Sequence, residues 1–164
     1  MSREVSARTH VTGVITSGPS ERAALGRWIA SRRFHIFVTL AFNDTVSLDV
    51  ARDRLRSWEA FTCRTVLGSR WMQKRDERPT GIFVIEHIQS NTHWHGALNI
   101  AGIDQKRFEQ AGRAAWRSLV PRGGLSPAGS TDFQLILDLN GLARYISKYT
   151  SGSMERDEIT FLGP

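Results

Sequence analysis

Two histidines, His93 and His95, flank a tryptophan in the stretch "NTHWHGALNI". Residues at positions i and i+2 of a β-strand point to the same side, so these two imidazoles could bind one cation. Glu86 precedes His93 by seven residues, a spacing that a tight hairpin would close. Two nitrogens and one carboxylate oxygen suit a divalent cation, Mn²⁺ or Mg²⁺ for work on phosphates, and also admit Zn²⁺. A solvated polar strand face is the alternative that this pattern leaves open.

A second group with chemical potential lies in "ARYISKYTSG". On a helix Tyr145, Lys148 and Tyr149 are related by three and four residues, so all three project from one side. A phenol is a poor nucleophile near neutral pH because its pKa is about 10. A neighbouring cation and a polarised phosphate would both activate it. The same pattern also fits an amphipathic helix whose tyrosines pack on a sheet while the lysine reaches solvent.

Hydrophobic periodicity predicts the elements that must position these residues. Strands are predicted at Phe34–Asn43, at Ile82–Glu86, at the histidine stretch, and through Phe133, Leu135 and Leu137. Helices are predicted from Ser20, over residues 47–67 with Ser47 as the cap, after Asp104, and over "NGLARYISKY". From the first strand onward the order is β-α-β-β-α-β followed by a helix, which is the ferredoxin-like (RRM-like) order. We therefore expect an α+β fold with an antiparallel sheet, both long helices on one face, and an added C-terminal catalytic helix.

Strand parity predicts which side chains share the open face of this sheet. Trp94, Leu98 and Ile100 share the apolar parity of the third strand and should lie beneath the helices. The histidines at 93 and 95 then point to the open face. The other polar residues predicted there are Thr39, Asn43, Glu86, Gln134 and Asp138. His87 has the opposite parity, so we expect a structural role for it, and Phe34 should lie with Ile36, Val38, Leu40 and Phe42 under the helices.

Composition limits the class of protein. The chain has 164 residues, 40% of them hydrophobic, which suits one domain over residues 20–164 after a flexible segment at 1–19. A formal net charge of +6 and a sequence pI near 10.4 favour a phosphate-bearing partner. Lys74, Arg75 and Arg78 form a basic stretch with Trp71 that could contact DNA, although a solvated turn explains them equally well.

The single cysteine, Cys63, excludes an internal disulfide and a cysteine-based zinc finger, and it fits a reducing compartment. We see no signal peptide and no apolar run of the roughly 18 residues that span a bilayer. A cytoplasmic protein without a membrane partner is therefore expected.

Three stretches, in this order, resemble the motifs of the HUH endonuclease superfamily: "FVTLAFN" (Phe37 to Asn43), "HWH" (His93 to His95) and "YISK" (Tyr145 to Lys148). The resemblance covers roughly residues 34–152 and looks most like rolling-circle replication initiators of bacterial plasmids and phages. It implies a nickase of single-stranded DNA, in which His93, His95 and Glu86 hold Mn²⁺ or Mg²⁺ against the scissile phosphate. Tyr145 would attack that phosphate, giving a 5′-phosphotyrosine and a free 3′-hydroxyl, and later transesterification would rejoin strands.

The resemblance also implies roles for neighbouring residues and for partners. Lys148 would position the phosphate. Some initiators use two tyrosines, each followed by a lysine, but Gly152 stands three residues after Tyr149, so Tyr149 is an auxiliary candidate. Thr39, Asn43, Lys74, Arg75 and Arg78 are the expected DNA-binding residues. The DNA would be single-stranded DNA at a replication origin, within a hairpin, in a bacterial cytoplasm. Because no G-x-x-x-x-G-K-[ST] motif is present, a host helicase and polymerase are expected partners.

Three other functions stay open on the sequence alone. A single-tyrosine transposase of the same superfamily would use similar chemistry and prefer hairpin DNA. A non-nucleolytic metalloprotein with two histidines and one carboxylate would use the histidine strand without Tyr145. An RRM-like nucleic-acid binder would use the open sheet face and its aromatic residues, of which Phe37 is one.

Overall fold

The computed structural model describes residues 19–100, 102–124, 126–148 and 159–163, which form a mixed α+β fold. The helices are α1 (Pro19–Ser31), α2 (Leu48–Leu67), α3 (Gln105–Leu119) and α4 (Leu139–Lys148). The strands are β1 (Ile36–Ala41), β2 (Thr80–Glu86), β3 (His93–Asn99), β4 (Ser130–Leu135) and β5 (Ile159–Leu162). Two short 3-10 turns, Trp71–Gln73 and Arg75–Glu77, precede β2. The predicted flexible segment at 1–19 lies outside the described residues except for Pro19, which begins α1.

The described strands form one antiparallel sheet in the order β4-β1-β3-β2-β5. The histidine strand β3 is central, between β1 and β2. In the β2–β3 hairpin Glu86 is the cross-strand partner of His93. In the β1–β3 pair Thr39 is the partner of His95. This register brings the carboxylate and both imidazoles to the same end of the sheet, as the sequence predicted.

Helices α2 and α3 cover one face of the sheet and enclose the larger core. The caps predicted at Ser47 and Asp104 are confirmed, because their side chains accept hydrogen bonds from the backbone N–H groups of Val50 and Arg107. Trp94 is fully buried beneath α2 and donates its indole N–H to the carbonyl of Ala51 at 3.1 Å. Since Trp94 occupies the helix-covered face, the histidines on either side of it must take the other face.

Helices α1 and α4 pack on that other face, so the prediction that it is open is wrong for part of the sheet. Ile29 of α1 and Leu142 and Ile146 of α4 share a buried cluster with Ile82 and Val84 of β2. The cause lies in β2, whose residues from Ile82 to Ile85 are all buried and apolar, so both faces of this strand require cover. None of the helices formed by the described residues has both the length and the apolar composition that crossing a bilayer requires.

Two smaller predictions also differ from the structure, and one strand was missed. Phe34 packs in the α1–α4 cluster instead of under α2 and α3, because it precedes β1 and does not follow that strand's alternation. Asp138 is not part of the fourth strand: β4 ends at Leu135, and the Asp138 carbonyl accepts the N–H of Leu142 at the start of α4. Strand β5 was not predicted, because four residues are too few to show a period.

Candidate active site

Glu86 stands at the centre of a cluster of three histidines. Its Oε2 atom lies 3.6 Å from Nε2 of His93, 3.6 Å from Nε2 of His95 and 3.7 Å from Nε2 of His87. Two ligands of one ion, each bonded at about 2.1 Å, lie roughly 3 to 3.5 Å apart. The Glu86 carboxylate therefore lies close to one nitrogen of each imidazole, and ligand atoms of Glu86, His87 and His93 lie near enough to one another to hold one cation. Glu86, His93 and His95 are largely buried, with 11%, 16% and 15% of their side chains exposed.

Two of the imidazoles are oriented by hydrogen bonds to Nδ1, the ring nitrogen other than the Nε2 near Glu86. Nδ1 of His93 lies 2.8 Å from the backbone carbonyl of Asn91. A carbonyl only accepts, so Nδ1 carries a proton, and in the neutral ring the lone pair is on Nε2, the nitrogen that lies 3.6 Å from Glu86 Oε2. Nδ1 of His95 lies 3.0 Å from the hydroxyl of Thr39. Such outer partners are what fix the orientation of metal-binding histidines in proteins.

The loop that carries Asn91 is tied to the chain after β1. Thr92 is fully buried; its Oγ1 accepts the backbone N–H of Val46, and its own N–H donates to the carbonyl of Asp44. The Asp44 carboxylate in turn accepts the hydroxyl of Ser126 at 2.5 Å and the N–H of Thr45, and these bonds lower the pKa of Asp44. These contacts hold the β2–β3 loop, and with it the carbonyl that orients His93.

Tyr145 joins the cluster from helix α4. Its hydroxyl donates a hydrogen bond of 2.7 Å to Oε1 of Glu86. The other carboxylate oxygen, Oε2, is the one that lies 3.6–3.7 Å from the three histidine nitrogens. The ring also meets His95 edge-on at 6.0 Å between centroids. Leu142 and Ile146, buried on the same helix, fix this position by packing on β2. The phenol and the histidine cluster are therefore neighbours, as the sequence predicted.

Phe37 completes the surroundings of the phenol. Its ring stacks on His95, with centroids 5.5 Å apart and planes at 16°, and it meets the ring of Tyr145 edge-on at 6.0 Å. The sequence placed Phe37 on this face. The structure makes it partly buried between two site residues, which differs from the fully exposed platform that an RRM-like binder would use.

His87 was expected to point away from Glu86 and to have a structural role, but its Nε2 atom lies 3.7 Å from the Glu86 carboxylate, on the side of the other two histidines. Its backbone is left-handed, with φ 54°, so the chain leaves the strand after Glu86 and the alternation rule no longer applies. Glu86, His87 and His93 each offer one ligand atom, and these three atoms lie within 4.8 Å of one another. Strand alternation does not identify this turn, although histidine tolerates a positive φ better than most residues do. The adjacency of Glu86 and His87 at a strand end was the only available signal.

The predicted basic stretch is not near the cluster. Arg78 forms a 2.8 Å ion pair with Glu59 of α2, and its guanidinium lies 4.9 Å from the centre of the Trp71 ring. Lys74 pairs with Glu77 at 3.0 Å, and Arg75 is exposed. These residues precede the start of β2, whereas Glu86 ends it, about 20 Å away along the strand. DNA contact by Lys74, Arg75 and Arg78 stays a prediction.

The other residues predicted at the site have different positions. Thr39 contacts His95, as described above. Asn43, with φ 57°, donates its side-chain amide to the carbonyl of Ala128 at 2.7 Å, so it holds the segment before β4. Lys148 is the last residue of α4, and its side chain lies outside what the structure describes. Tyr149 lies outside the described residues.

No family model matches the chain, and no curated protein matches it. The chemistry of the site itself is therefore the basis for a function.

Proposed function

We propose that this protein is a metal-dependent endonuclease of the HUH type, which nicks single-stranded DNA with Tyr145 as the nucleophile. One observation carries the proposal. The two oxygens of Glu86 connect a phenol to a cluster of imidazoles: Oε1 accepts from Tyr145, and Oε2 lies 3.6 Å from Nε2 of both His93 and His95. This convergence is the arrangement that a cation site beside a phenol nucleophile requires, and it supports the proposal.

Glu86, His93 and His95 would hold the divalent cation, Mn²⁺ or Mg²⁺. Two imidazoles that turn their Nε2 atoms toward a largely buried carboxylate form a donor set that fits such an ion. When bound, the ion would polarise the scissile phosphate and offset the negative charge that develops on it.

Tyr145 supplies the attacking atom. Its Oη forms a bond to the scissile phosphorus, and the bond from that phosphorus to the 3′ oxygen breaks. The phenol proton passes to Glu86 Oε1, its 2.7 Å hydrogen-bond acceptor. The released 3′ oxygen takes up one proton, which Glu86 returns through water, while the 5′ phosphate stays on the tyrosine. The phosphodiester energy is retained in this link, so a 3′-hydroxyl can later displace the tyrosine and rejoin the strand.

Single-stranded DNA is the substrate that best fits the surroundings. The ring of Phe37 lies beside the nucleophile, and its exposed part could contact an unpaired base, as aromatic rings do in proteins that hold single strands. A formal net charge of +6 favours a polyanion. Thr39, Asn43 and the basic stretch before β2 remain the residues we expect to contact DNA, and the basic stretch would do so at a distance from the scissile phosphate.

We further propose that the fold is ferredoxin-like. The sheet order β4-β1-β3-β2, with α2 and α3 packed together on one face, supports this assignment. In this description α1, α4 and β5 are additions, and α4 carries the nucleophile across the second face.

The biological role that we propose is initiation of rolling-circle replication in a bacterial cytoplasm. The nick leaves a 3′-hydroxyl for a host polymerase, and a host helicase would unwind the duplex. Lys148, three residues after Tyr145, would steady the phosphate, and Tyr149 would serve as an auxiliary nucleophile during strand transfer.

Incubation with single-stranded oligonucleotides tests the proposal. The oligonucleotides should tile the DNA that encodes and flanks the chain, in linear and hairpin form, with Mn²⁺ present. We expect a protein–DNA adduct that survives denaturation in the wild type and in Tyr149→Phe, and no adduct in Tyr145→Phe.

Other outcomes would favour other functions. An adduct confined to hairpin DNA from a mobile-element end would favour a transposase. Metal binding without any adduct would favour a non-nucleolytic metalloprotein. Oligonucleotide binding without cleavage would favour an RRM-like binder.

A further inference from the structure

We propose that His87 is an additional ligand of the cation held at Glu86, and that this third imidazole makes the site select a transition-metal ion over Mg²⁺. The inference rests on the proposed function only in that it concerns the same cation site. It needs neither DNA nor the tyrosine chemistry.

The backbone of His87 is the first observation. A residue that continued β2 past Glu86 would point its side chain to the face covered by α2 and α3. At φ 54° the chain turns instead, and the imidazole lies on the side of the carboxylate. The left-handed conformation is disfavoured for every residue with a Cβ atom. The chain thus holds a less favoured conformation whose result is a third imidazole near Glu86.

The distances are the second observation. Nε2 of His87 lies 3.7 Å from Glu86 Oε2, nearly the same as the 3.6 Å of His93 and of His95. The ring centroids of His87 and His93 are 5.1 Å apart. Glu86, His87 and His93 each offer one ligand atom, and these three atoms lie close enough together to bind one ion. Because 60% of the His87 side chain is exposed, its ring can meet an incoming ion from solvent.

The donor chemistry then decides which ion is preferred. Mg²⁺ prefers oxygen ligands and keeps several waters. Imidazole suits Zn²⁺, Co²⁺, Ni²⁺ and, more weakly, Mn²⁺ in the order of first-row affinities. Two imidazoles and a carboxylate leave the choice open, whereas three imidazoles shift it toward the transition metals.

Calorimetric titration of the full chain with Co²⁺ alone, without DNA, tests the inference. His87→Asn is the informative variant, because asparagine tolerates the left-handed backbone and removes the imidazole. His35→Asn is the matched control: His35 precedes β1, at the opposite end of the sheet from Glu86. We expect His87→Asn to lower the affinity for Co²⁺ at least about 10-fold, and His35→Asn to leave it unchanged.

Two further readouts separate a ligand from a merely structural residue. The absorption bands of bound Co²⁺, which report its coordination, should change in His87→Asn, and circular dichroism should show an unchanged fold. A large excess of Mg²⁺ should fail to displace Co²⁺ from the wild type.

Unchanged Co²⁺ affinity in His87→Asn would overturn the inference, as would an equal loss in His35→Asn or the absence of Co²⁺ binding by the wild type. Displacement of Co²⁺ by Mg²⁺ would overturn the selectivity. None of these results depends on adduct formation, so failure here and failure of the nickase proposal can be told apart.

Discussion

The hydroxyl of Tyr145 and the carboxylate of Glu86 lie 2.7 Å apart, although 59 residues of sequence separate them. Glu86 ends a strand and Tyr145 lies in a helix that crosses the same face of the sheet. The phenol proton therefore has an acceptor within reach, on the same carboxylate that faces the histidines. This one side chain links the proposed cation site to the proposed nucleophile.

Glu86→Gln should separate the charge of this side chain from its shape. Glutamine can still accept a hydrogen bond from Tyr145, but it is a weaker proton acceptor and a weaker ligand for a cation. We expect the initial rate of adduct formation to fall at least about 100-fold. Glu109→Gln, on α3, is the matched control and should keep the wild-type rate. A wild-type rate in Glu86→Gln would show that the carboxylate has no part in the reaction.

Thr39→Val should disturb the orientation of His95. Valine has nearly the shape of threonine but lacks the hydroxyl that lies 3.0 Å from Nδ1 of that histidine. We expect the affinity for Mn²⁺, measured by calorimetry, to fall roughly 10- to 100-fold. Thr39→Ser keeps the hydroxyl and should retain most of the affinity. If valine and serine behave alike, the hydroxyl does not position His95.

Much of the site could be predicted from strand alternation. The parity of β3 places Trp94 beneath α2 and α3 and the two histidines on the other face, because neighbouring side chains of a strand cannot exchange faces without a shift of the whole strand. The seven-residue spacing to Glu86 then makes the hairpin partner of His93 predictable. The caps of α2 and α3 follow from Ser47 and Asp104 in the same local way.

The remainder depends on contacts that sequence periodicity does not describe. His87 joins the cluster through one backbone dihedral angle at a strand end, and no composition rule marks such a position. Cover of the second face by α1 and α4 depends on Ile82 and Val84, which are buried in a strand that is apolar on both faces. The side-chain amide of Asn43 donates to the carbonyl of Ala128, which lies 85 residues away in the sequence, so no local pattern predicts this contact.

Gly96→Ala tests the packing of the central strand. A Cβ atom at position 96, beside His95, would overlap the ring of Phe83 on the face covered by α2 and α3. We expect the free energy of unfolding to fall by about 1–3 kcal/mol, measured by denaturant titration. Gly26→Ala, in α1, is the control: its Cβ would meet no atom within 4 Å, and we expect no loss of stability. Equal stability of Gly96→Ala and the wild type would contradict the β2–β3 packing.

Cys63 provides a test of the α2 core that depends on pH. Burial, with a smaller effect of Glu59, raises the pKa of the thiol from 9.0 to about 12, and Arg78 opposes the shift. Only the thiolate reacts with iodoacetamide, so at pH 8 we expect alkylation of the folded protein to be on the order of 1000-fold slower than in denaturant.

The raised pKa also sets the direction of a stability change. The thiol form is favoured in the folded state, so its contribution is fully present below about pH 9 and is lost as the pH rises toward 12. Cys63→Ala should lose less stability over this interval than the wild type does. In the alkylation experiment described above, equal rates in the folded and denatured protein would show that the Cys63 thiol is not buried.

The most direct test of the nickase proposal is to identify the residue that becomes linked to DNA. The chain contains two tyrosines, and trypsin separates them, because cleavage after Arg144 and Lys148 releases Tyr145 in "YISK" and Tyr149 in "YTSGSMER". After incubation with Mn²⁺ and single-stranded DNA, nuclease and trypsin digestion followed by mass spectrometry should find a nucleotide joined through its 5′ phosphate to "YISK". A nucleotide on the Tyr149 peptide alone, or on neither peptide with every oligonucleotide tried, would contradict the assignment of Tyr145 as the nucleophile.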